Sequence, residues 1–204
     1  YTTPMMPQTF IFIGRSGCGK GTQAERLKKY ITEHDSEKRE IFYFETGGGV
    51  RKFIGGSNLS SSLAKKINES GERQPSFLAI WLWVGGLIDN VKGGEHIILD
   101  GSPRTLLEAE VLTTAFNFYS RGEVNVVYMN VSREWSEERL SERGRADDAT
   151  LAKRTKRSKW FDTDVMPAIL YFKKTPFYKF HDINGEQTID KVHEEIVNKL
   201  KSLS

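Results

Sequence analysis

The chain has 204 residues, enough for one α/β domain with a sizeable core, and 30 Lys plus Arg against 27 Asp plus Glu leave a formal charge of +3. That balance demands no nucleic-acid partner and fits a local arginine excess around a polyphosphate. The single cysteine, Cys18, excludes an internal disulfide and a cysteine-built zinc site. Residues 1–8 lack the charged and apolar regions of a signal peptide, and the longest apolar run, 77–88, is short and contains two glycines. A soluble, cytoplasmic monomer without a membrane partner is expected.

Strand-like and helix-like segments alternate from end to end. Residues 8–13 read as the first strand, and 21–31 as a helix with Ala24, Leu27, Tyr30 and Ile31 at helical spacing. A charged connection leads to a short strand at 41–44, after which Thr46 to Arg51 looks like a loop entering a helix. The serine-rich stretch 57–62 reads as loop and cap for a helix at 63–68. Pro75 precedes a helix over 77–91 that carries Trp81 and Trp83, both expected in the core. Then come a strand at 96–99, a helix at 105–119, a strand at 124–131, helices at 133–143 and about 148–172, a strand at 177–183 and a closing helix at 188–203. The pattern predicts one doubly wound, five-stranded parallel α/β sheet with helices on both faces.

Directly after the first strand stand Gly14, Arg15, Ser16, Gly17, Cys18, Gly19, Lys20, Gly21 and Thr22. Glycines allow the backbone N–H groups to converge on phosphate oxygens, and the helix start behind them adds partial positive charge. Lys20 would place a cation on the β- and γ-phosphates of a nucleoside triphosphate. The spacing from Gly14 to Gly19 and Lys20 fits a phosphate-binding loop, although Gly21 stands where Ser or Thr is usual and the hydroxyl comes at Thr22. The other polar clusters also fall at the carboxyl ends of strands, where such sheets bind ligands. They are Thr46 and Arg51, Asp100 and Arg104, and the set Arg139, Arg143, Arg145, Arg154 and Arg157. Such a set suggests clamps on several phosphates. His34, His96, His181 and His193 have no partners at metal-ligand spacing and read as structural.

From residue 9 to 203 the chain resembles the nucleoside monophosphate kinases of the adenylate kinase family. The resemblance rests on five motifs: residues 17–23; Thr46 and Gly47 with Arg51; residues 100–104; residues 144–148; and residues 184–186. It implies a P-loop kinase domain over 1–204, with an acceptor-binding insert at about 46–76 and a short lid at about 143–154. It implies Mg²⁺-dependent transfer of the γ-phosphoryl of ATP to a nucleoside monophosphate; with Cys18 the only thiol, no zinc is expected in the lid. No protein base is needed, because the acceptor phosphate is already an anion.

Carried over by residue, Gly17, Cys18, Gly19, Lys20, Gly21 and Thr22 would cradle the donor phosphates, with Arg139 and Gln187 at the donor base. Asp100, with Thr22 nearby, would hold Mg²⁺ through water. Thr46, Arg51, Gly101, Ser102, Pro103 and Arg104 would hold the acceptor phosphate, and Glu72, Arg73 and Gln74 its base and ribose. Arg143, Arg145 and Arg154 would close on the phosphates, and Arg157 could share the role of Arg154. Asp147 and Asp148 could pair with lid arginines or cap the following helix.

The chain departs from the family at Ser102, where Phe is usual, at Gly48, where an acid is usual, and at Glu108, where adenylate kinases present Gln to the acceptor adenine. A carboxylate can accept from adenine N6 but offers nothing to N1. AMP is nevertheless the expected acceptor, with a pyrimidine monophosphate (UMP or CMP) the alternative. A nucleotide-binding module without transfer is the other reading, and the presence together of Lys20, Asp100, Arg104 and Arg145 argues against it.

Overall fold

The computed structural model describes residues 6–142, 144 and 150–201. Among these the chain runs β1 (Thr9–Gly14), α1 (Lys20–His34), β2 (Ile41–Glu45), α2 (Thr46–Ile54), α3 (Leu59–Glu69), α4 (Ser76–Asn90) and β3 (His96–Asp100). It continues through α5 (Leu106–Phe118), β4 (Val124–Asn130), α6 (Arg133–Glu142), α7 (Leu151–Trp160), a π-helical turn (Phe161–Val165), α8 (Met166–Lys174), β5 (Tyr178–Asn184) and α9 (Ile189–Lys201). The five strands pair in parallel, in the order β2-β3-β1-β4-β5. The α/β sheet expected from the sequence is present.

β1 is apolar at four successive positions because both of its faces are covered. Ile11 and Ile13 join Ile97, Leu99, Val124 and Val126 on one face, under Trp83, Leu112, Phe116 and Phe172 from α4, α5 and α8. Phe10 and Phe12 join Ile98, Val127 and Met129 on the other, under Leu27, Ile31, Val192 and Ile196 from α1 and α9. The period of two along each strand therefore builds two cores from one sheet. Among the described residues no helix is long and apolar enough to cross a membrane.

Four local expectations are corrected. Thr46 begins α2 directly, with no loop before it. The serines at 60–62 lie inside α3, whose cap is Asn58, accepting from the Ser61 N–H at 2.8 Å. Trp83 is fully buried, but Trp81 is 58% exposed and packs edge-on to Phe53. The single helix expected over 148–172 is two α-helices joined by a π-turn, closed by a bond from the Met166 N–H to the Phe161 carbonyl. The wider turn keeps Phe161, Val165, Ala168, Ile169 and Phe172 buried together.

At the amino ends of the strands, His96 Nδ1 accepts from the Gln8 N–H at 3.0 Å, so Nε2 carries the proton and faces Asp35 Oδ2 at 3.3 Å. Burial pushes the His96 pKa below its ordinary 6.5, and Asp35 only partly offsets this. Burial also works against charge on Asp35, but hydrogen bonds from the Arg39 main chain and from His96 outweigh it and hold that carboxyl below 3.8. Both folded values lie below the unfolded ones, so the unfolded chain takes up protons first as the pH falls. This stability is complete above pH 6.5 and is lost progressively below it. His181 and His193 are shifted the same way by burial. The melting temperature is expected to fall between about pH 7.5 and about pH 5, and His96→Gln to flatten part of that slope. An unchanged slope in the variant would remove His96 from the groups responsible.

Candidate active site

β1 ends in a loop whose glycines hold backbone conformations that side chains resist. Gly14, Gly17 and Gly19 have φ of 151°, 84° and 93°. A Cβ on Gly14 would meet the Met129 carbonyl oxygen at 2.6 Å. Ser136 Oγ ties the loop to α6 by donating to the Ser16 carbonyl at 2.7 Å. Lys20, the first residue of α1, turns its ammonium back to the carbonyls of Gly14 and Arg15 at 2.9 and 2.7 Å. The Cys18 side chain is buried with Phe10 and Phe12, and its Sγ accepts from the Lys20 ammonium at 3.5 Å.

The loop forms one wall of a cavity of about 610 Å³, through Gly17, Gly19, Lys20, Gly21 and Thr22. Asp100, Gly101 and Arg104 form the wall beyond β3, and Arg51, Glu72, Arg73 and Gln74 the opposite one. Arg139, Arg157 and Trp160 also line it. Arg104 Nε donates to the Gly101 carbonyl at 2.8 Å. Burial disfavours the charge on Arg104, and nearby Arg157 and Arg73 add to this against Glu108 and Asp100. Such a crowd of cations gains from a bound anion. Arg51 is held back by both oxygens of Glu45, at 2.9 and 3.1 Å.

Asp100 is buried and accepts from the Tyr43 hydroxyl at 3.2 Å. Burial pushes its carboxyl up, while Lys20 and the Tyr43 bond pull it down. Asp100 and Thr22 share this cavity, and no cluster of three His, Cys, Asp or Glu ligands occurs among the described residues. One carboxylate and one hydroxyl are hard oxygen donors for a cation that keeps most of its waters, and Mg²⁺ is such a cation.

Several expected residues lie elsewhere. Thr46 and Ser102 are buried, their hydroxyls hydrogen-bonded to each other, so the serine in place of Phe answers the threonine. Pro103 lines a small void of about 30 Å³ behind Arg104. Glu108 is fully buried and does not line the cavity. Its oxygens accept from the Arg104 N–H at 3.1 Å and the Thr105 hydroxyl at 3.2 Å, with Arg73 Nη1 at 3.5 Å. Thr105 in turn caps α5 by accepting from the Glu108 N–H at 3.1 Å, while the Glu108 carboxylate reaches back past the cap residue to the Arg104 N–H. Arg154 does not line the cavity, whereas Arg157, three residues along α7, does. Arg143, Arg145, Asp147 and Asp148 lie outside the described residues.

Arg139 also borders a second groove of about 510 Å³, lined by Trp135, Glu186, Gln187, Thr188 and Lys191. Its guanidinium stacks on Trp135, 4.1 Å from the ring centroid. Sequence reasoning missed Tyr43 and Trp160. The signal for Trp160 was its place three residues after Arg157 on one helix, and that for Glu108 was the capping pattern from Thr105 to Glu108.

No family model matches the chain. Among curated proteins it is similar to an adenylate kinase of Flavobacterium psychrophilum, 29% identical over 93% of this chain and 98% of that one. It is also similar to adenylate kinases of Mycolicibacterium smegmatis, at 30% identity over 93% and 97%, and of a Synechococcus strain, at 31% over 94% of each chain. With relatives of this identity aligned along nearly their whole length, the chain belongs to the adenylate kinase family of nucleoside monophosphate kinases.

Proposed function

We propose that the chain transfers the γ-phosphoryl group of ATP to AMP, giving two ADP. The observation that carries this reading is the single cavity in which the phosphate loop faces Arg51 and Arg104. An oxygen of the acceptor phosphate attacks the γ-phosphorus as the bond to the β-phosphate oxygen breaks, and ADP leaves. The protein supplies alignment and countercharge. In this reading residues 17–22 cradle the donor phosphates, Lys20 turns from its loop carbonyls to them, and Arg139 meets the donor base. Arg51 and Arg104 hold the acceptor phosphate, and the main chain at residues 72–74 reads the acceptor base. Asp100 and Thr22 would hold Mg²⁺, which neutralises charge between the phosphates. We assign the last phosphate clamp to Arg157, beyond the lid on α7, in place of Arg154, because Arg157 lines the cavity with Arg104. Residues 46–76 then form the acceptor insert and 143–154 the lid, with Arg143 and Arg145 closing on the phosphates.

An acceptor panel of AMP, CMP, UMP and GMP with ATP–Mg²⁺ tests the reading by specificity constant. A preference of about tenfold or more for another monophosphate would replace AMP and leave the family assignment standing. Glu108→Gln is expected to leave the panel unchanged, since a glutamine oxygen can also accept from the Arg104 N–H; a sharpened AMP preference would instead put this side chain at the base.

Lys20→Ala is expected to lower turnover by about 10²–10³ with the melting curve retained. Near-normal turnover would remove the loop from the chemistry. Arg157→Ala is expected to depress turnover with both substrates saturating, and by clearly more than Arg154→Ala. The reverse order, read from initial rates, would restore Arg154.

A further inference from the structure

Two arginines that line the cavity, Arg73 and Arg104, and a third in the phosphate loop, Arg15, turn toward one short stretch of chain. Arg15, in the phosphate loop, donates from Nη2 to Asp162 Oδ1 at 2.7 Å and lies over the Phe161 ring, 4.2 Å from its centroid. Arg73, in the connection before α4, donates from Nε to Asp164 Oδ2 at 3.1 Å. Arg104 stands 5.8 Å from the centroid of Trp160. All of these partners belong to the π-turn or to the residue before it.

Each aspartate reaches substrate ground through one arginine. The Arg15 carbonyl is an acceptor for the Lys20 ammonium, so the position of Arg15 sets where Lys20 rests. Arg73 Nη1 donates to the Gln74 carbonyl at 3.1 Å and lies 3.5 Å from Glu108, so Arg73 sets the wall between residues 72 and 74 and the start of α5. Phe161 and Val165 anchor the turn in the core between α5 and α8. Asp162 and Asp164 leave that buried pair toward different partners, one at the phosphate loop and one at the facing wall. Transfer in line needs the reacting atoms about 3–3.5 Å apart, and a shift of about 1 Å can cost about 10²-fold in rate. A rigid piece that touches both walls is well placed to fix that distance.

We propose that Asp162 and Asp164 are positioning residues, one for each substrate: Asp162 sets the phosphate loop through Arg15, and Asp164 sets the acceptor wall through Arg73. The proposal rests on the kinase reading above and adds to it a spacer, the π-turn, between donor and acceptor. The competing account is that these are ordinary surface ion pairs that add little to stability and nothing else.

The test is a split between Michaelis constants, measured on the full chain with ATP–Mg²⁺ and AMP each varied. Asp162→Asn is expected to raise KM for ATP about threefold to tenfold with that for AMP within about twofold, and Asp164→Asn to do the reverse. Arg73→Lys keeps the charge but loses the planar fork. It is expected to reproduce Asp164→Asn, and the double variant to be no worse than either single one. Asp164→Glu, which keeps the carboxylate, is expected to recover part of the loss and serves if the amide variant melts early. Unchanged constants, or both constants moving together with a lowered melting temperature, would overturn the proposal. Calorimetric titration of ATP and of AMP into the same variants reads the split without turnover. A wild type that binds both nucleotides but transfers nothing, with variants that show the split in binding, would therefore overturn the kinase reading and not the positioning one.

Discussion

The constraint on which the rest of this molecule depends is that like charges must be held together before any anion arrives. Lys20, Arg51, Arg73, Arg104, Arg139 and Arg157 all border one cavity. Two unit charges about 4 Å apart interact by about 4 kcal/mol at an effective dielectric of 20, which is comparable with the whole stability of a small domain. The fold answers by bracing cations from behind. Loop carbonyls take Lys20, the Gly101 carbonyl takes Arg104, Glu45 takes Arg51, Asp164 takes Arg73, and the Trp135 ring takes Arg139. A polyphosphate entering such a site exchanges these internal partners of Lys20 and Arg51 for its own oxygens.

Strand order decides where this crowd forms. In the parallel register Phe12 lies beside Asp100, and Glu45 beside Asp100 on the other side. The loop after β1, the turn after β3 and the start of α2 therefore emerge side by side at one edge of the sheet. That much was legible from sequence, because alternating apolar runs followed by glycine or by Asp and Arg fix both the strands and the end at which polar groups collect. The π-turn was not legible. Its inserted residue leaves the apolar spacing of Phe161, Val165, Ile169 and Phe172 close to that of an ordinary helix, and nothing in residue type marks the wider bond.

The choice between Arg154 and Arg157 shows how such a shift reaches the site. Both sit on α7, and counting along a motif cannot separate them when the spacing on either side of the helix is free to change by a residue. Packing separates them. The stretch from Trp160 to Val165 is fixed by Phe161 and Val165 in the core, and the cavity is met by Trp160 and Arg157 on the turn before it. Thr46 and Ser102 illustrate a different limit. Hydroxyls at phosphate-site positions read as ligands from sequence, yet a pair of buried hydroxyls needs partners first, and these two found each other.

Glu108 carries that principle furthest, because it bears on which base the acceptor pocket selects. A carboxylate that swung toward a base would abandon an N–H at the start of α5, a threonine hydroxyl and a half-buried arginine. A donor left buried without a partner costs about 1–3 kcal/mol. One hydrogen bond to a base returns about 0.5–1.5 kcal/mol, or about 1.5–3 kcal/mol if the group is charged. The balance keeps Glu108 on its helix. Glu72, Arg73 and Gln74 all line the cavity, and the Gln74 amide nitrogen is already committed to the Ala64 carbonyl at 2.8 Å. Gln74 Oε1 is buried and has no hydrogen-bond partner. In the proposed kinase reading, discrimination among bases then falls to the groups that residues 72–74 present to the cavity.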